Sequence, residues 1–235
     1  MFSVLLLVIA AGGIAVGVAG LPAWQRSQSN LLLFCLLALG AVAAESLLAG
    51  LGRWLGPGPQ LRGLYALPAL VATFAWPLSL FTLATLSRRL GSGWARIDWG
   101  HGAVCLFAVA LLAYGLQGLF GLQALGAACW QDVVWYLREV PAALACAGET
   151  PAQAATGRFP VVAGVLAGWL VLGVDLWRRE RWPWLCLALL AGAILLMLPP
   201  AWGPLPRYLG LSLSFGAIAR EVTRRSAALA PQAAA

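Results

Sequence analysis

The sequence predicts an all-α polytopic membrane protein, a bundle of about seven transmembrane helices with its N-terminus outside and its C-terminus inside. Three observations carry this. The 235 residues are 62% hydrophobic and only 10% charged, whereas a soluble domain carries roughly 25% charged residues. Apolar runs close to spanning length recur seven times, near 2–21, 30–51, 63–86, 102–122, 159–177, 183–199 and 205–220, and a spanning helix needs about 20 mostly apolar residues. Arginine, the only basic residue type apart from one histidine, is distributed unevenly between the two sets of connections.

Each element has its own justification. The first run has no basic residue ahead of it, and "GVAGLPAW" is a poor cleavage site, so it reads as a helix rather than a signal peptide. The second begins at Asn30 and stops at "LGPGPQ", residues 55–60; the third runs into Arg88, Arg89 and "GSG" at 91–93. The fourth opens at "DWGHG", the fifth ends in "WRRERW", and the sixth is closed by "LPPAWGPLPR", 198–207. The seventh ends in "REVTRRS", so a single domain over 1–225 precedes a tail, 226–235, expected to be disordered. With the N-terminus outside, the inner connections hold ten arginines and the outer ones five, the sense of the positive-inside rule. Tryptophans 24, 54, 94, 99, 177, 182, 184 and 202 stand near run ends, as interfacial belts require. No internal repeat is visible, which counts against transporters built from duplicated halves.

The loop at 123–158, between the fourth and fifth runs, is the longest connection. Trp130, Val133, Val134 and Leu137 recur there at helical spacing, with Gln131, Asp132, Arg138 and Glu139 on other faces. The spacing predicts a short amphipathic helix ending near Pro141. Cys129 and Cys146 are the two cysteines in a loop, and that loop is predicted to face the oxidising side, so they are expected to form a disulfide. Cys35, Cys105 and Cys186 fall inside runs and read as packing residues.

Composition excludes several functions. There is no lysine, hence no Schiff base to retinal or pyridoxal phosphate and no phosphate-loop lysine. One histidine rules out a bis-histidine haem within the chain. No G-x-S-x-G, H-E-x-x-H, paired carboxylates or Cys/His cluster of metal spacing occurs. The expectation is a non-enzymatic protein with no cofactor and no metal. The net charge of +7 is read as a membrane orientation signal rather than as nucleic-acid binding. Asp98, His101 and Cys105 share a helical face, but Asp98 reads as a helix cap and His101 as an interfacial side chain.

Candidate ligand-pocket residues are Glu45, Tyr65, Trp76, Gln117, Arg207 and Tyr208. Glu45 lies 15 residues past Asn30, about 22 Å along its helix and in the outer third of a roughly 30 Å core. A carboxylate there must be paired or neutral, and Arg207 enters the seventh run at a similar height. Thr73, Trp76, Ser79, Thr82 and Thr85 recur at every third position of the third run and are expected to line an outward pocket, unless they bond their own helix.

Within residues 24–114 stand "SNLLLFCLLALGAVAAESLLAG" and "YALPALVATFAWPLSLFTLATLSRRLGSGWARIDWGHGAVCLFAVALL". This stretch resembles the seven-helix membrane sensor region that precedes a cytoplasmic output domain in bacterial regulators of the AraC or histidine-kinase type. Trp76-Pro77-Leu78, the Arg88–Arg96 loop and His101 occupy the places of that region's Pro-Leu-rich third helix, basic-aromatic loop and helix-start histidine. The resemblance implies a sensor-like bundle. No helix-turn-helix or kinase domain follows the seventh run, so output is expected through a protein partner at the loops Arg88–Arg96 and Arg178–Arg181. The expected setting is a bacterial inner membrane. Two other readings stand beside the sensor: a structural or assembly subunit of a larger membrane complex, and a small-solute or lipid transporter.

Overall fold

The computed structural model describes residues 1–27, 29–117, 125–137, 140–146, 158–180, 183–199 and 202–229. Its helices are α1 (Phe2–Ser27), α2 (Asn30–Leu55), α3 (Pro59–Arg89), the single turn α4 (Gly93–Arg96), α5 (Asp98–Gln117), α6 (Arg158–Glu180), α7 (Trp184–Met197) and α8 (Leu205–Leu229). Two strands, β1 (Gly126–Trp130) and β2 (Val133–Leu137), stand between α5 and α6. Among the described residues, α1, α2, α3, α5 and α6 are long and apolar enough to cross a membrane. α7 is equally apolar but has only 14 residues, and α8 mixes apolar residues with Arg207, Glu221 and Arg224.

The long helices form a closed ring. α1 packs on α2 and α8, α3 joins α2 to α5 and α6, and α7 links α6 back to α8. α2 and α8 also touch across the ring, which places them at its centre. Apolar surface is no driving force between helices in lipid, so close backbone approach must supply packing. A Cβ added at Gly192 of α7 would collide with Ser214 Oγ of α8 and stand 2.8 Å from the Gly210 carbonyl. Gly13 and Gly20 of α1 admit Ala43 and Leu36 of α2 in the same way.

Pro68 and Pro77 do not break α3. Three residues of the polar stripe on α3 bond their own helix, while the Thr85 hydroxyl is buried without a partner among the described residues. Thr73 donates to the Ala69 carbonyl at 2.9 Å, Ser79 to Trp76 at 2.6 Å and Thr82 to Leu78 at 3.0 Å. Hydroxyls in an apolar setting take the nearest carbonyl, one turn back. The α8 helix continues through Leu229, so the first residues assigned to a disordered tail extend it; "SAAL" is made largely of strong helix formers.

The predicted amphipathic helix at 130–137 is a β-hairpin. β1 pairs antiparallel with β2 from Gly126↔Leu137 to Trp130↔Val133. The helical spacing was fortuitous, because Val133, Val134, Trp135 and Tyr136 are all buried and both faces of β2 are covered. A β-branched and aromatic run such as "VVWY" favours a strand. The turn is Gln131-Asp132, with Gln131 at φ 52°. That left-handed conformation favours glycine or asparagine, so the usual hairpin signal is missing from the sequence. Arg138 and Glu139 lie outside the described residues.

Candidate functional site

The hairpin covers one end of the bundle. Cys129 on β1 is bonded to Cys146, with Cα atoms 4.9 Å apart. The Cys146 amide donates to the Ala127 carbonyl at 3.3 Å, which lays the 145–146 segment along β1. Four helices hold this cap. From α1, Phe2 meets the edge of Trp130 at 4.6 Å and Ser3 donates to the Asp132 carbonyl and carboxylate at 2.9 and 3.1 Å. On α2, Gly52 lies directly against the Val134 carbonyl. Before α3, Tyr136 Oη accepts from the Gly58 amide and donates to the Gly58 carbonyl, both at 2.9 Å. Gly203, at φ 76° before α8, packs on the Trp130 ring. The N-terminal ammonium bonds Asp132 at 3.0 Å and, against burial, holds that carboxyl below the ordinary aspartate range, with Ser3 adding to the effect. Arg53 stands 3.7 Å from the same carboxylate.

Beneath the hairpin, three helices bring Glu45, Tyr65, Arg207 and Tyr208 together. Glu45 of α2 is buried, with a side chain only 6% exposed, and its Oε2 faces Arg207 Nη2 of α8 at 3.5 Å. Tyr65 of α3 donates to the Glu45 backbone carbonyl at 3.3 Å, and the Tyr208 side chain stands close to it. Arg207 keeps 24% of its side chain exposed and lies 5.8 Å from the centre of the Tyr208 ring. Tyr136 of the hairpin reaches the same group, 5.4 Å from Tyr65, with the Arg62 guanidinium 5.8 Å over its ring. Tyr136 and Arg62 are the members that sequence reasoning missed. A strand assignment for "VVWY" would have turned Tyr136 toward the bundle.

One candidate, Trp76, is not part of this group. Trp76 stacks on Trp169 of α6 at 5.8 Å, and Trp169 in turn meets Phe215 of α8 and donates to Ser79 Oγ at 2.7 Å. Trp76 is 11 residues beyond Tyr65 on α3, about 16 Å along the axis. It belongs to the bundle core. Gln117 closes α5, which rests on α3 and α6 rather than on the helices of Glu45 and Arg207; its side chain lies outside the described residues.

At the opposite end, the arginine-rich loops are tied together. Arg88 pairs with Asp98 at 2.8 Å, and the buried Ser92 donates to Asp175 of α6 at 2.8 Å. Arg224 forms a two-bonded pair with Glu221 on α8. Arg181 lies outside the described residues. His101 Nε2 is 3.5 Å from Cys105 Sγ, but Asp98 is held by Arg88 and does not orient the imidazole. Among the described residues, no three His, Cys, Asp or Glu side chains gather as metal ligands.

No protein-family model, no curated protein and no solved structure matches the chain.

Proposed function

We propose that this is an integral membrane sensor or accessory protein with seven spans, N-out and C-in, of a bacterial inner membrane. It takes a small or lipidic ligand at the hairpin end and acts through a protein partner at the arginine-rich end. One observation carries the reading: a buried glutamate, an arginine with a quarter of its side chain exposed and two buried tyrosines converge from α2, α3 and α8 beneath a disulfide-held cap. Ionisable groups inside spans are costly and mark functional positions. The three contributing helices run from this cluster to the other end, where α3 feeds the Arg88–Arg96 loop. The unbroken passage of α3 through Pro68 and Pro77 disfavours a transporter with interrupted helices at the midplane.

Two experiments test this. Reporter fusions at position 92 and at the C-terminus should both read cytoplasm, and an outside reading at either defeats the orientation. Relay is tested by hydrogen exchange in nanodiscs, comparing wild type with Glu45→Gln/Arg207→Gln. Altered protection at residues 88–97, beyond about 20 Å of helix from the change, supports a sensor. Altered protection confined to the hairpin end supports a scaffold.

A further inference from the structure

We infer that the outward edge of Arg207 is an anion-binding edge for a phosphate or carboxylate oxyanion presented at the membrane interface. This rests on the ligand site proposed above and assigns its chemistry. A guanidinium offers five N–H donors in a planar fork that suits oxyanions two at a time. Glu45 accepts from Nη2 alone, at 3.5 Å, and is Arg207's hydrogen-bond partner among the described residues. The two side chains are unequally covered, 6% exposed for Glu45 and 24% for Arg207, and Nε and Nη1 of Arg207 are not among the buried nitrogens left without a partner. One edge of Arg207 therefore faces into the bundle toward Glu45, while part of the group remains open.

Two of the neighbouring hydroxyls are already engaged elsewhere. Tyr136 Oη is engaged with both backbone groups of Gly58, and Tyr65 Oη with the Glu45 carbonyl. The local field has the right sign. Arg207 sits in the first turn of α8, and that turn holds no acidic residue. Helix N-termini carry positive partial charge that favours anions, so cations there raise the potential instead of cancelling it. Glu45 holds Arg207 in place and takes up part of its charge. An anion at the open edge would complete the guanidinium's hydrogen bonding.

The test uses the full chain in nanodiscs and reads the thermal midpoint. Three discs are compared: phosphatidylcholine alone, phosphatidylcholine with phosphatidylglycerol, and phosphatidylcholine with inorganic phosphate against chloride of equal ionic strength. Wild type should gain about 5 °C from an anion that saturates the site. Glu45→Gln frees the guanidinium and should show a larger anion-dependent gain. Glu45→Gln/Arg207→Gln leaves no unpaired charge, so it should fold, and should lose most of the gain. A gain with phosphatidylglycerol alone identifies a lipid headgroup, and a gain reproduced by phosphate identifies the free oxyanion as sufficient. Equal gains in wild type and the double variant would assign the effect to the other arginines and overturn the proposal, as would no gain in either. Relay to residues 88–97 without an Arg207-dependent gain would overturn the anion assignment alone. An Arg207-dependent gain without relay would keep the anion edge and defeat the sensor.

Discussion

Removing either partner of the Glu45–Arg207 pair should have unequal consequences, and the inequality follows from burial. At about 4 Å and an effective dielectric of about 20, an ion pair amounts to roughly 4 kcal/mol before desolvation. Arg207→Gln strands a carboxylate that is 6% exposed. Deleting one partner of a buried pair costs about 3–5 kcal/mol, and the 3.5 Å separation points to the lower end, about 3 kcal/mol. Glu45→Gln strands Arg207, whose side chain is 24% exposed and can turn further toward water. Its cost should be about half as large, roughly 1–2 kcal/mol. The double variant removes both charges and should be more stable than Arg207→Gln alone, with a coupling of about 2 kcal/mol. For a chain of this length, about 3 kcal/mol corresponds to roughly 6–12 °C in the unfolding midpoint. Thermal unfolding of the four proteins in identical zwitterionic nanodiscs measures the cycle. Additive single variants, or a larger loss from Glu45→Gln than from Arg207→Gln, would refute the reasoning.

Three further outcomes concern the cap. Reducing the Cys129–Cys146 bond, which spans 17 residues of sequence, should cost about 3 kcal/mol by loop entropy and raise hydrogen exchange over 126–137; unchanged exchange would mean the helices alone hold the hairpin. Gly52→Val places a branched side chain where the Val134 carbonyl now lies, and should lift the hairpin and raise Tyr136 accessibility, whereas Gly17→Ala, in open space, should be neutral; fluorescence quenching distinguishes them. The Asp132 carboxyl is depressed in the folded chain by the N-terminal ammonium and Ser3. Its contribution should be intact above the ordinary aspartate range and fade as pH falls through the lower folded value, and Asp132→Asn should abolish that pH dependence in NMR shifts of the 130–134 turn.

The helices were legible because lipid-length apolar runs and their Pro/Gly breaks are local signals. Each of the seven runs falls on a helix, and among the described residues five of these helices, α1, α2, α3, α5 and α6, are long and apolar enough to cross a membrane. The Cys129–Cys146 pairing was legible because these two cysteines share a loop while the other three fall inside apolar runs. Glu45 and Arg207 were legible as partners because a buried carboxylate needs a cation and helical rise gives both similar heights. The hairpin was not legible. Its strands are covered on both faces, so they lack the alternation that marks a strand, and its Gln131-Asp132 turn carries no glycine. Trp76 illustrates another limit, because sequence spacing placed it on a polar face while Trp169, itself set against Phe215, claims it for the core.

By itself the sequence determined the helical class, the positions of the runs, the exclusion of lysine chemistry and the short roster of ionisable groups near the bundle. These follow from one residue's own hydropathy or from neighbours within a turn. Only the tertiary structure decided that β2 carries Tyr136 onto Tyr65, that Tyr208 closes the row beside Arg207, and that Arg207 keeps an open edge while Glu45 is covered. Those facts depend on how α2, α3 and α8 rotate against each other and on what lies over their ends. Rotation is set by interlocking side chains far apart in the chain, and no local pattern records it.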